Sequence, residues 1–410
     1  MFPLSSQGYI FIWFMSSIEI THRHLRSIES KLQSMETTIC NAINNRALTS
    51  PTVSAETEGK LEILTVKVED TKNTLTQTIN TLQVSVSDAI RRIEALENAV
   101  SVGAPFTGEP LYVILPYFNY CSFQKRTTLF IDFIERYKDV ENIKIVIVEG
   151  VLADQTPQLP DFGAKVFMHI HVTLKDRIWI KENLINLAVK QLPSEWKYMA
   201  WIDADITFLN TNWATETVEL LQTNQVVQMF HSAVNMGPDG ETLKVEQGFI
   251  YMYLKSGREF SKSSRYGVWH PGFAWACSRE AYDKMGGLLE IGILGSGDRH
   301  MALGLIGLAE FSYPGNIGLS YKAKVLALQK NMEGFKIDYL KGSVLHHFHG
   351  SIADRRYVDR WAILTKNLYN VNNDVCYNSD NVLSLTEKGK RMQPEMDEYF
   401  VGRKEDSTKA

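Results

Sequence analysis

The first hundred residues repeat apolar side chains at heptad spacing. Ile18, Leu25, Leu32 and Ile39 recur every seven residues, and further rows follow a Ser- and Thr-containing linker at residues 44–57. In the second stretch one row is mainly leucine and the other is β-branched, a pairing typical of parallel dimers. The pattern therefore predicts a coiled coil that forms a homo-oligomer, a parallel dimer or trimer. A plain amphipathic helix packed on its own domain is the alternative.

The most apolar segment of the chain lies ahead of these heptads. Residues 8–15 read GYIFIWFM, which is shorter than the roughly 20 apolar residues that a bilayer span needs. No Lys or Arg precedes the segment and no small-residue cleavage site follows it, so a signal peptide is not supported. We predict an interfacial or oligomer-buried helix, with peripheral membrane contact by residues 8–20, in preference to a membrane anchor.

Beyond a Gly- and Pro-containing break at residues 101–110, the pattern changes to short apolar runs separated by helical spacing. The apolar runs are continuous, as in strands that are buried on both faces. Alternation of such strands with helices predicts an α/β fold with a mainly parallel sheet flanked by helices. The predicted strands are residues 111–116, 143–148 and 198–202, and the predicted helices are residues 124–137, 178–192 and 278–285.

These patterns divide the chain into four parts. Residues 1–56 hold the apolar segment, the first heptad helix and the linker, and residues 57–106 form the coiled-coil stalk. Residues 107–375 form the α/β domain. Residues 376–410 are polar, and we expect them to be a loose extension with a short helix near residues 383–391.

Composition narrows the function classes. With 44% hydrophobic and 22% charged residues among 410, the chain matches a soluble globular protein and not a disordered one. A net charge of −4 argues against nucleic acid as a partner, because nucleic-acid binding normally shows as a basic surplus. The four cysteines lie far apart without a CxxC pair, which favours a reducing compartment. We therefore expect a cytoplasmic protein, possibly membrane-associated, in preference to one of a Golgi-type lumen.

The strongest chemical signal follows the strand at residues 198–202. Asp203 and Asp205 lie one residue apart where the apolar run ends, and ligands of parallel α/β sheets bind at this edge. Two such carboxylates can hold one Mg²⁺ or Mn²⁺ while a bound diphosphate supplies further oxygens. A solvated pair of aspartates is the alternative.

Three constellations follow downstream. Residues 269–276, WHPGFAWA, are rich in aromatic and small residues. The turn GSGD delivers Asp298 to a helix start, where a simple N-cap is the alternative. The sequence HHFHG at residues 346–350 ends another apolar strand, and a histidine cluster at a strand end often holds a metal or an anion. Three arginines follow it: Arg355, Arg356 and Arg360.

The order of these motifs resembles that of the metal-dependent GT-A glycosyltransferases, especially the group like the β-1,4-galactosyltransferases. The resemblance covers about residues 110–370 and implies that residues 107–375 are a GT-A glycosyltransferase domain. The matching motifs are Pro116 and Asn119 after the first strand, Lys181 in WIKENLIN, Asp203-Ala204-Asp205, Asp298 in GSGD, and HHFHG. The chain departs from that group at Phe118, where the group has Arg, and in a GSGD turn without paired acids.

The resemblance implies a nucleotide-sugar donor, with a UDP-sugar favoured over a GDP-sugar, and a glycan acceptor. Asp298 would be the general base of an inverting transfer, and a retaining mechanism stays open if Asp298 only orients the acceptor. The donor would be bound by Pro116, Tyr117, Asn119, Glu149, Lys181, Asp203 and Asp205. Mn²⁺ (or Mg²⁺) would be held by Asp203, Asp205, His346 and His349, with His347 as an alternative. The sugar and acceptor would contact Trp269, His270, Gly272 and Trp275.

Two other functions compete with this interpretation. A nucleotidyltransferase that makes nucleotide sugars usually has a Gly-rich basic loop after its first strand, and LPYFNYCSF contains no glycine. A non-enzymatic oligomer that binds carbohydrate would not need the DAD, GSGD and HHFHG motifs together. No motif names the sugar, because the shape of the pocket decides it.

Overall fold

The computed structural model describes residues 108–256 and 269–409. They belong to one compact unit that spans Phe106–Ala410. The predicted apolar segment, heptad helices and linker lie outside the described residues. No helix in the described part of the chain is both long and apolar enough to cross a membrane.

Fourteen strands form two principal sheets and one small ribbon within the described residues. In chain order they are β1 (Leu111–Phe118), β2 (Ile143–Leu152), β3 (Met168–Leu174), β4 (Tyr198–Ile202), β5 (Ile206–Phe208), β6 (Val226–Gln228), β7 (Ser232–Met236), β8 (Thr242–Gly248), β9 (Trp269–His270), β10 (Ala274–Ser278), β11 (Ile337–Tyr339), β12 (Ser343–His346), β13 (Val375–Tyr377) and β14 (Leu383–Leu385).

The α-helices lie between and after these strands. They are α1 (Gln124–Tyr137), α2 (Lys181–Val189), α3 (Trp213–Leu221), α4 (Phe249–Lys255), α5 (Arg279–Met285), α6 (Gly297–Leu305), α7 (Leu319–Asn331), α8 (Trp361–Lys366), α9 (Val371–Asp374) and α10 (Gln393–Gly402).

The central sheet has seven strands in the order β11-β6-β10-β4-β1-β2-β3. Strands β3, β2, β1 and β4 run parallel, whereas β10 is antiparallel to both β4 and β6. Side chains of β1 alternate between two cores, with Val113 and Leu115 on the side of α1 and Tyr112 and Ile114 on the side of α2. Both faces are covered, which explains the continuous apolar runs. The expected α/β architecture with a helix-flanked, mainly parallel sheet is confirmed.

A second sheet, in the order β5-β12-β7-β8-β9, adjoins the first through a tight turn. The turn between β4 and β5 contains Asp203 and Asp205. Strand β12 pairs with β5 and β7 at once, so His346 lies opposite both Ile206 and Asn235. This register brings the DAD turn and the HHFHG motif to the same place, although about 140 residues separate them.

The predicted helices are largely confirmed. Helix α1 has the predicted bounds, and Ser278 caps α5, accepting a hydrogen bond from the Ala281 N–H. Helix α2 is shorter than predicted and all nine of its residues are buried. It therefore has no solvent-exposed face, which is why apolar spacing located its centre better than its ends.

The C-terminal residues are folded onto the domain, so the expectation of a loose extension is wrong. Tyr399 and Phe400 of α10 are buried in the core, and residues 383–385 form strand β14 in place of the expected helix. The Asp406 carboxylate accepts hydrogen bonds from the N–H groups of Gln124 and Lys125, at 3.0 and 2.7 Å. Asp406 thus caps α1, whose own N-cap side chain makes no such bond.

Candidate functional site

A cavity of about 400 Å³ lies beside the DAD turn and the ends of β1 and β12. Most of the residues that the sequence singled out are in its wall. Those residues are Pro116, Tyr117, Lys181, Asp203, Asp205, Trp269, His270, Gly272, Asp298, His346 and His349.

Three expected site residues are not in that wall. The Asn119 amide donates to the Tyr117 hydroxyl and to Gln158, behind the wall. Trp275 is fully buried, and its indole N–H donates to the Pro271 carbonyl at 2.8 Å. The Glu149 side chain contacts residues of a neighbouring strand and is not part of the cavity wall. The strand pattern correctly placed Asn119 and Glu149 at or just after the ends of strands, but whether a side chain faces the cavity depends on packing.

Asp205, His346 and His349 form a buried cluster in the cavity wall. Each offers a ligand atom within 4.8 Å of the others, a spacing that a single metal ion can bridge. Asp205 Oδ2 lies 2.7 Å from His349 Nε2 and 3.9 Å from His346 Nε2. Asp205 Oδ1 and His346 Nε2 are buried without a hydrogen-bond partner. Because buried polar atoms are rarely unpartnered, this arrangement fits a bound cation.

The orientation of His346 is fixed from behind. Its Nδ1 lies 2.8 Å from Asn235 Oδ1, and the Asn235 amide nitrogen donates to Glu246 Oε2 at 2.9 Å. Glu246 thereby directs the amide oxygen of Asn235 toward His346. The proton of the imidazole is then on Nδ1, which leaves the Nε2 lone pair for a metal. Burial also lowers the pKa of His346, so the ring is neutral, as a ligand must be.

His349 is held by the C-terminal residues. Its Nδ1 lies 3.5 Å from Glu405 Oε2, and Glu405 in turn binds Arg403 and Arg126 at 2.6 and 3.0 Å. Arg355 Nη2 lies 2.8 Å from His349 Nε2. Burial raises the pKa of Asp205, but the adjacent His349 and His346 lower it by more, so the carboxyl is ionised.

His347 faces away from the cluster. Its Nε2 lies 2.7 Å from the Thr207 hydroxyl, and only its backbone N–H contacts Asp205, at the carbonyl. Neighbouring residues of a strand point to opposite faces, which separates His347 from His346.

Lys181 bridges two carboxylates in the cavity wall. Its Nζ lies 2.8 Å from Asp203 Oδ1 and 3.0 Å from Asp298 Oδ2, and the side chain is almost fully buried. Burial lowers the pKa of Lys181, but Asp203 and Asp298 raise it by more, so the ammonium is charged. Asp203 therefore differs from expectation, because its carboxylate faces Lys181 and is not part of the cluster of Asp205, His346 and His349.

Glu182 lies directly behind Asp298 and Lys181. A side chain at Gly297 would overlap the Glu182 carboxyl group, so a larger residue at the start of α6 would force the Glu182 side chain to move. Burial, and then the charge of Asp298, raise the pKa of Glu182 to about 8. This carboxyl therefore holds a proton at neutral pH.

Two buried arginines in the wall have partners other than carboxylates. Arg360 donates to the hydroxyls of Ser296 and Tyr399, at 2.9 and 3.1 Å. Arg355 contacts His349 and the Tyr357 hydroxyl, and its Nε has no partner. Neither forms an ion pair with a carboxylate of the described residues. A buried guanidinium without a counter-ion is suited to an anionic ligand.

Part of the cavity wall is aromatic. The His270 ring stacks on Phe273 with a centroid separation of 3.7 Å, and Arg299 lies 5.2 Å from the centre of the Trp269 ring. Burial lowers the pKa of His270 to about 4, so this ring is uncharged at neutral pH. Flat apolar faces of this kind suit the apolar face of a sugar ring.

Sequence reasoning missed Asn235, Glu246, Arg126, Arg403 and Glu405. Asn235 and Glu246 lie on β7 and β8, where no motif marks them, and Glu405 lies in the segment expected to be loose. Their roles arise from strand register and from packing of the tail, neither of which leaves a local sequence signal.

No family model and no curated protein matches the chain. Solved structures with some similarity include the mannosyltransferase PcManGT from Pyrobaculum calidifontis, in complex with GDP-Man and Mn²⁺ (14% identity, 68% of this chain and 68% of that chain, TM-score 0.36). S. aureus TarS with UDP-GlcNAc is 13% identical over 63% of this chain and 65% of that chain (TM-score 0.37). A mutant of Drosophila β-1,4-galactosyltransferase 7 with manganese, UDP-Gal and xylobiose is 12% identical over 70% and 99% (TM-score 0.32). At this level of likeness, the activity of the chain has to be argued from its own residues.

Proposed function

We propose that the chain is a metal-dependent glycosyltransferase of the GT-A type, which moves a sugar from a nucleotide-diphosphate donor to a hydroxyl of a glycan. The observation that carries the proposal is the cluster of Asp205, His346 and His349 in the wall of a cavity that also contains two arginines without counter-ions. A cation and guanidinium groups at one cavity are what a diphosphate leaving group requires.

The residues present fit a divalent metal. Asp205 supplies a carboxylate oxygen, and His346 and His349 supply imidazole nitrogens. Two nitrogen ligands favour Mn²⁺ over Mg²⁺, because Mg²⁺ prefers oxygen. The bound ion would neutralise negative charge that develops on the diphosphate as the sugar leaves.

The buried cations would bind the same leaving group. Arg355 and Arg360 present guanidinium groups whose hydrogen bonds go to hydroxyls and an imidazole, so phosphate oxygens would not have to displace a carboxylate. Hydrogen bonds between charged groups are shorter and stronger than neutral ones, and arginine can bind phosphate through two of them.

Asp298 would accept the proton of the acceptor hydroxyl. It lies in the cavity wall at the first turn of α6, and the Lys181 ammonium fixes its position. A hydroxyl is a weak nucleophile at neutral pH, so a positioned carboxylate is needed to remove its proton. One carboxylate acting from the side opposite the leaving group gives inversion, which we favour; a retaining transfer follows if Asp298 only orients the acceptor.

Three further expectations belong to the same proposal. The donor would be a UDP-sugar in preference to a GDP-sugar, the protein would be a homo-oligomer through the predicted stalk, and it would act in the cytoplasm. Each remains a prediction from the sequence.

A thermal-unfolding panel tests the donor site directly. UDP, GDP and CMP, and their sugars, are added to the full chain with and without Mn²⁺. A ligand that binds only the folded state raises the midpoint temperature. We expect a Mn²⁺-dependent rise with UDP or GDP that is absent in Asp205→Asn. No rise with any nucleotide would overturn the donor site and favour the carbohydrate-binding alternative.

A further inference from the structure

A second cluster of one glutamate and two histidines lies at the edge of the central sheet, outside the cavity wall. Glu149 is on β2, and His169 and His171 are on β3, the edge strand. Glu149 lies opposite His171 in the parallel register, and His169 is two residues away on the same face. The three ligand atoms lie within 4.8 Å of one another.

The distances in this cluster match those around a tetrahedral metal ion. Glu149 Oε2 lies 3.3 Å from His169 Nε2 and 3.4 Å from His171 Nε2. With metal–ligand bonds of about 2.0–2.1 Å, two ligands of a tetrahedral Zn²⁺ ion are about 3.3–3.4 Å apart. Hydrogen bonds between a carboxylate and a charged imidazole are shorter, about 2.7–2.9 Å. The observed separations leave room for an ion between the three side chains.

Hydrogen bonds orient the Glu149 carboxylate so that one of its oxygens, Oε2, faces the histidines. Glu149 Oε1 accepts hydrogen bonds from the N–H groups of Gln158 and Leu159, at 2.6 and 3.3 Å, so Oε2 is left to face both histidines. Carboxylates that ligate a metal are commonly held in this way by hydrogen bonds to the rest of the carboxyl group.

Access to the cluster is open on one side. The Glu149 side chain is 1% exposed and that of His169 is 14% exposed, whereas that of His171 is 50% exposed. An ion could enter from solvent past His171 and keep a water as its fourth ligand. Two imidazoles and one carboxylate with an open position form a typical zinc ligand set.

We infer that Glu149, His169 and His171 form a transition-metal site for Zn²⁺, separate from the centre at Asp205. The ion would connect the edge strand β3 to β2. It would also stabilise the wall of the cavity indirectly, because Gln158 binds Glu149 through its backbone and Tyr117 and Asn119 through its side chain.

Cobalt binding tests this site independently of any transferase activity. Co²⁺ in a tetrahedral site with nitrogen ligands absorbs visible light, and the metal content can be counted by mass spectrometry. The experiment uses the full chain carrying Asp205→Asn, a substitution that removes the other centre. This variant is stripped of metal with chelator and then titrated with Co²⁺. We expect one Co²⁺ per chain with a visible band, displaced by Zn²⁺.

Substitutions on β3 provide the matched comparison. In the Asp205→Asn background, His171→Ala should weaken Zn²⁺ binding at least about 100-fold, since even the loss of a group behind a ligand costs 10–100-fold. Thr173→Ala, on the same face of the same strand and also exposed, should leave binding unchanged. His171→Gln serves if the alanine variant does not fold. Absence of the band in Asp205→Asn, or its persistence in both His171 variants, would overturn the site. Neither result depends on the donor panel.

Discussion

The two histidine clusters use the same side chains in different surroundings. Each has one carboxylate and two imidazoles within metal-binding distance. The cluster at Asp205 lies in a cavity whose wall also contains Arg355, Arg360 and Lys181. The cluster at Glu149 lies on an edge strand, and its described polar neighbours are backbone N–H groups and the two histidines.

The difference shows that ligand composition does not by itself assign a function to a metal site. A cation beside unpaired guanidinium groups can share an anionic substrate with them, whereas a cation among backbone amides at a sheet edge mainly stabilises structure. Substitutions around the cavity test this contrast, and the largest effect is expected at Asp205.

Removal of the carboxylate at the cavity should nearly abolish transfer. Asp205→Asn should lower kcat/KM for the nucleotide-sugar donor by at least about 10³-fold, because the metal contributes several kcal/mol to charge stabilisation. Steady-state assays at saturating Mn²⁺ would measure this loss, and His346→Ala should show a similar one.

His347→Gln is the matched control for this experiment. Its ring contacts Thr207 and not the cluster, so we expect activity within about threefold of the unchanged chain. Equal losses in His346→Ala and His347→Gln would contradict the assignment of ligands.

Only arginines in the cavity wall should contribute to binding of the nucleotide. Arg355→Gln or Arg360→Gln should weaken Mn²⁺-dependent binding of UDP, or of GDP if that is the nucleotide found, by about 10–100-fold, since a charged hydrogen bond contributes about 1.5–3 kcal/mol. Arg356→Gln removes the neighbouring arginine, which is not part of the cavity wall. Calorimetric titration in which Arg356→Gln lost as much affinity as Arg355→Gln would argue against a directed anion site.

The asparagine behind His346 should affect metal affinity without touching the metal. Asn235→Leu keeps the shape but removes the acceptor for the Nδ1 proton, and we expect Mn²⁺ binding to weaken at least about tenfold. Electron paramagnetic resonance of free Mn²⁺ gives the affinity directly. Because Asn235 acts through His346, the effects of Asn235→Leu and His346→Ala should not add. Additive losses would show that Asn235 acts by another route.

Glu182 shows what happens to a buried carboxyl that faces other acids and not histidines. Its pKa of about 8 lies above the ordinary value of 4.5, so the folded chain retains a proton that the unfolded chain releases. The stability that this group contributes is complete below pH 4.5 and is lost as the pH rises through about 8. In urea unfolding of the metal-free protein, the free energy of unfolding of Glu182→Gln should increase relative to that of the unchanged chain as the pH rises, by up to about 1.4 kcal/mol per pH unit.

Glu195→Gln, which changes an exposed glutamate, is the control for that series. Parallel stability curves for Glu182→Gln and the unchanged chain would contradict a protonated Glu182.

The sequence predicted those parts of the molecule that depend on local pattern. Continuous apolar runs located β1, β2 and β4, because each of these strands is buried on both faces. Aspartates at the end of β4 and histidines at the end of β12 were identifiable for the same reason. Alternation of side chains along the chain also indicates why His346 and His347 face different ways.

The remaining features depend on contacts between distant residues. Asn235 contacts His346 across 111 residues because β7 and β12 pair in one register, and a shift by one residue would break that contact. By composition the tail looks like a loose extension, because it is rich in polar and charged residues. In the fold, however, Arg403 and Glu405 form a buried ion pair and neutralise one another. The sequence predicted that Glu149 binds the nucleotide. The orientation of its side chain, which the sequence does not show, places it in the other cluster instead.

Because of the contact between Glu405 and His349, the site can be completed only late in synthesis of the chain. The ribosome releases all the motifs of the cavity before it adds Arg403, Glu405 and Asp406, so a nascent chain that already contains DAD, GSGD and HHFHG still lacks the groups that hold His349 and cap α1. Maturation of the site would then wait until residues 403–406 have been added. Chains that stop before residue 403 would retain every recognisable motif and lack a finished centre.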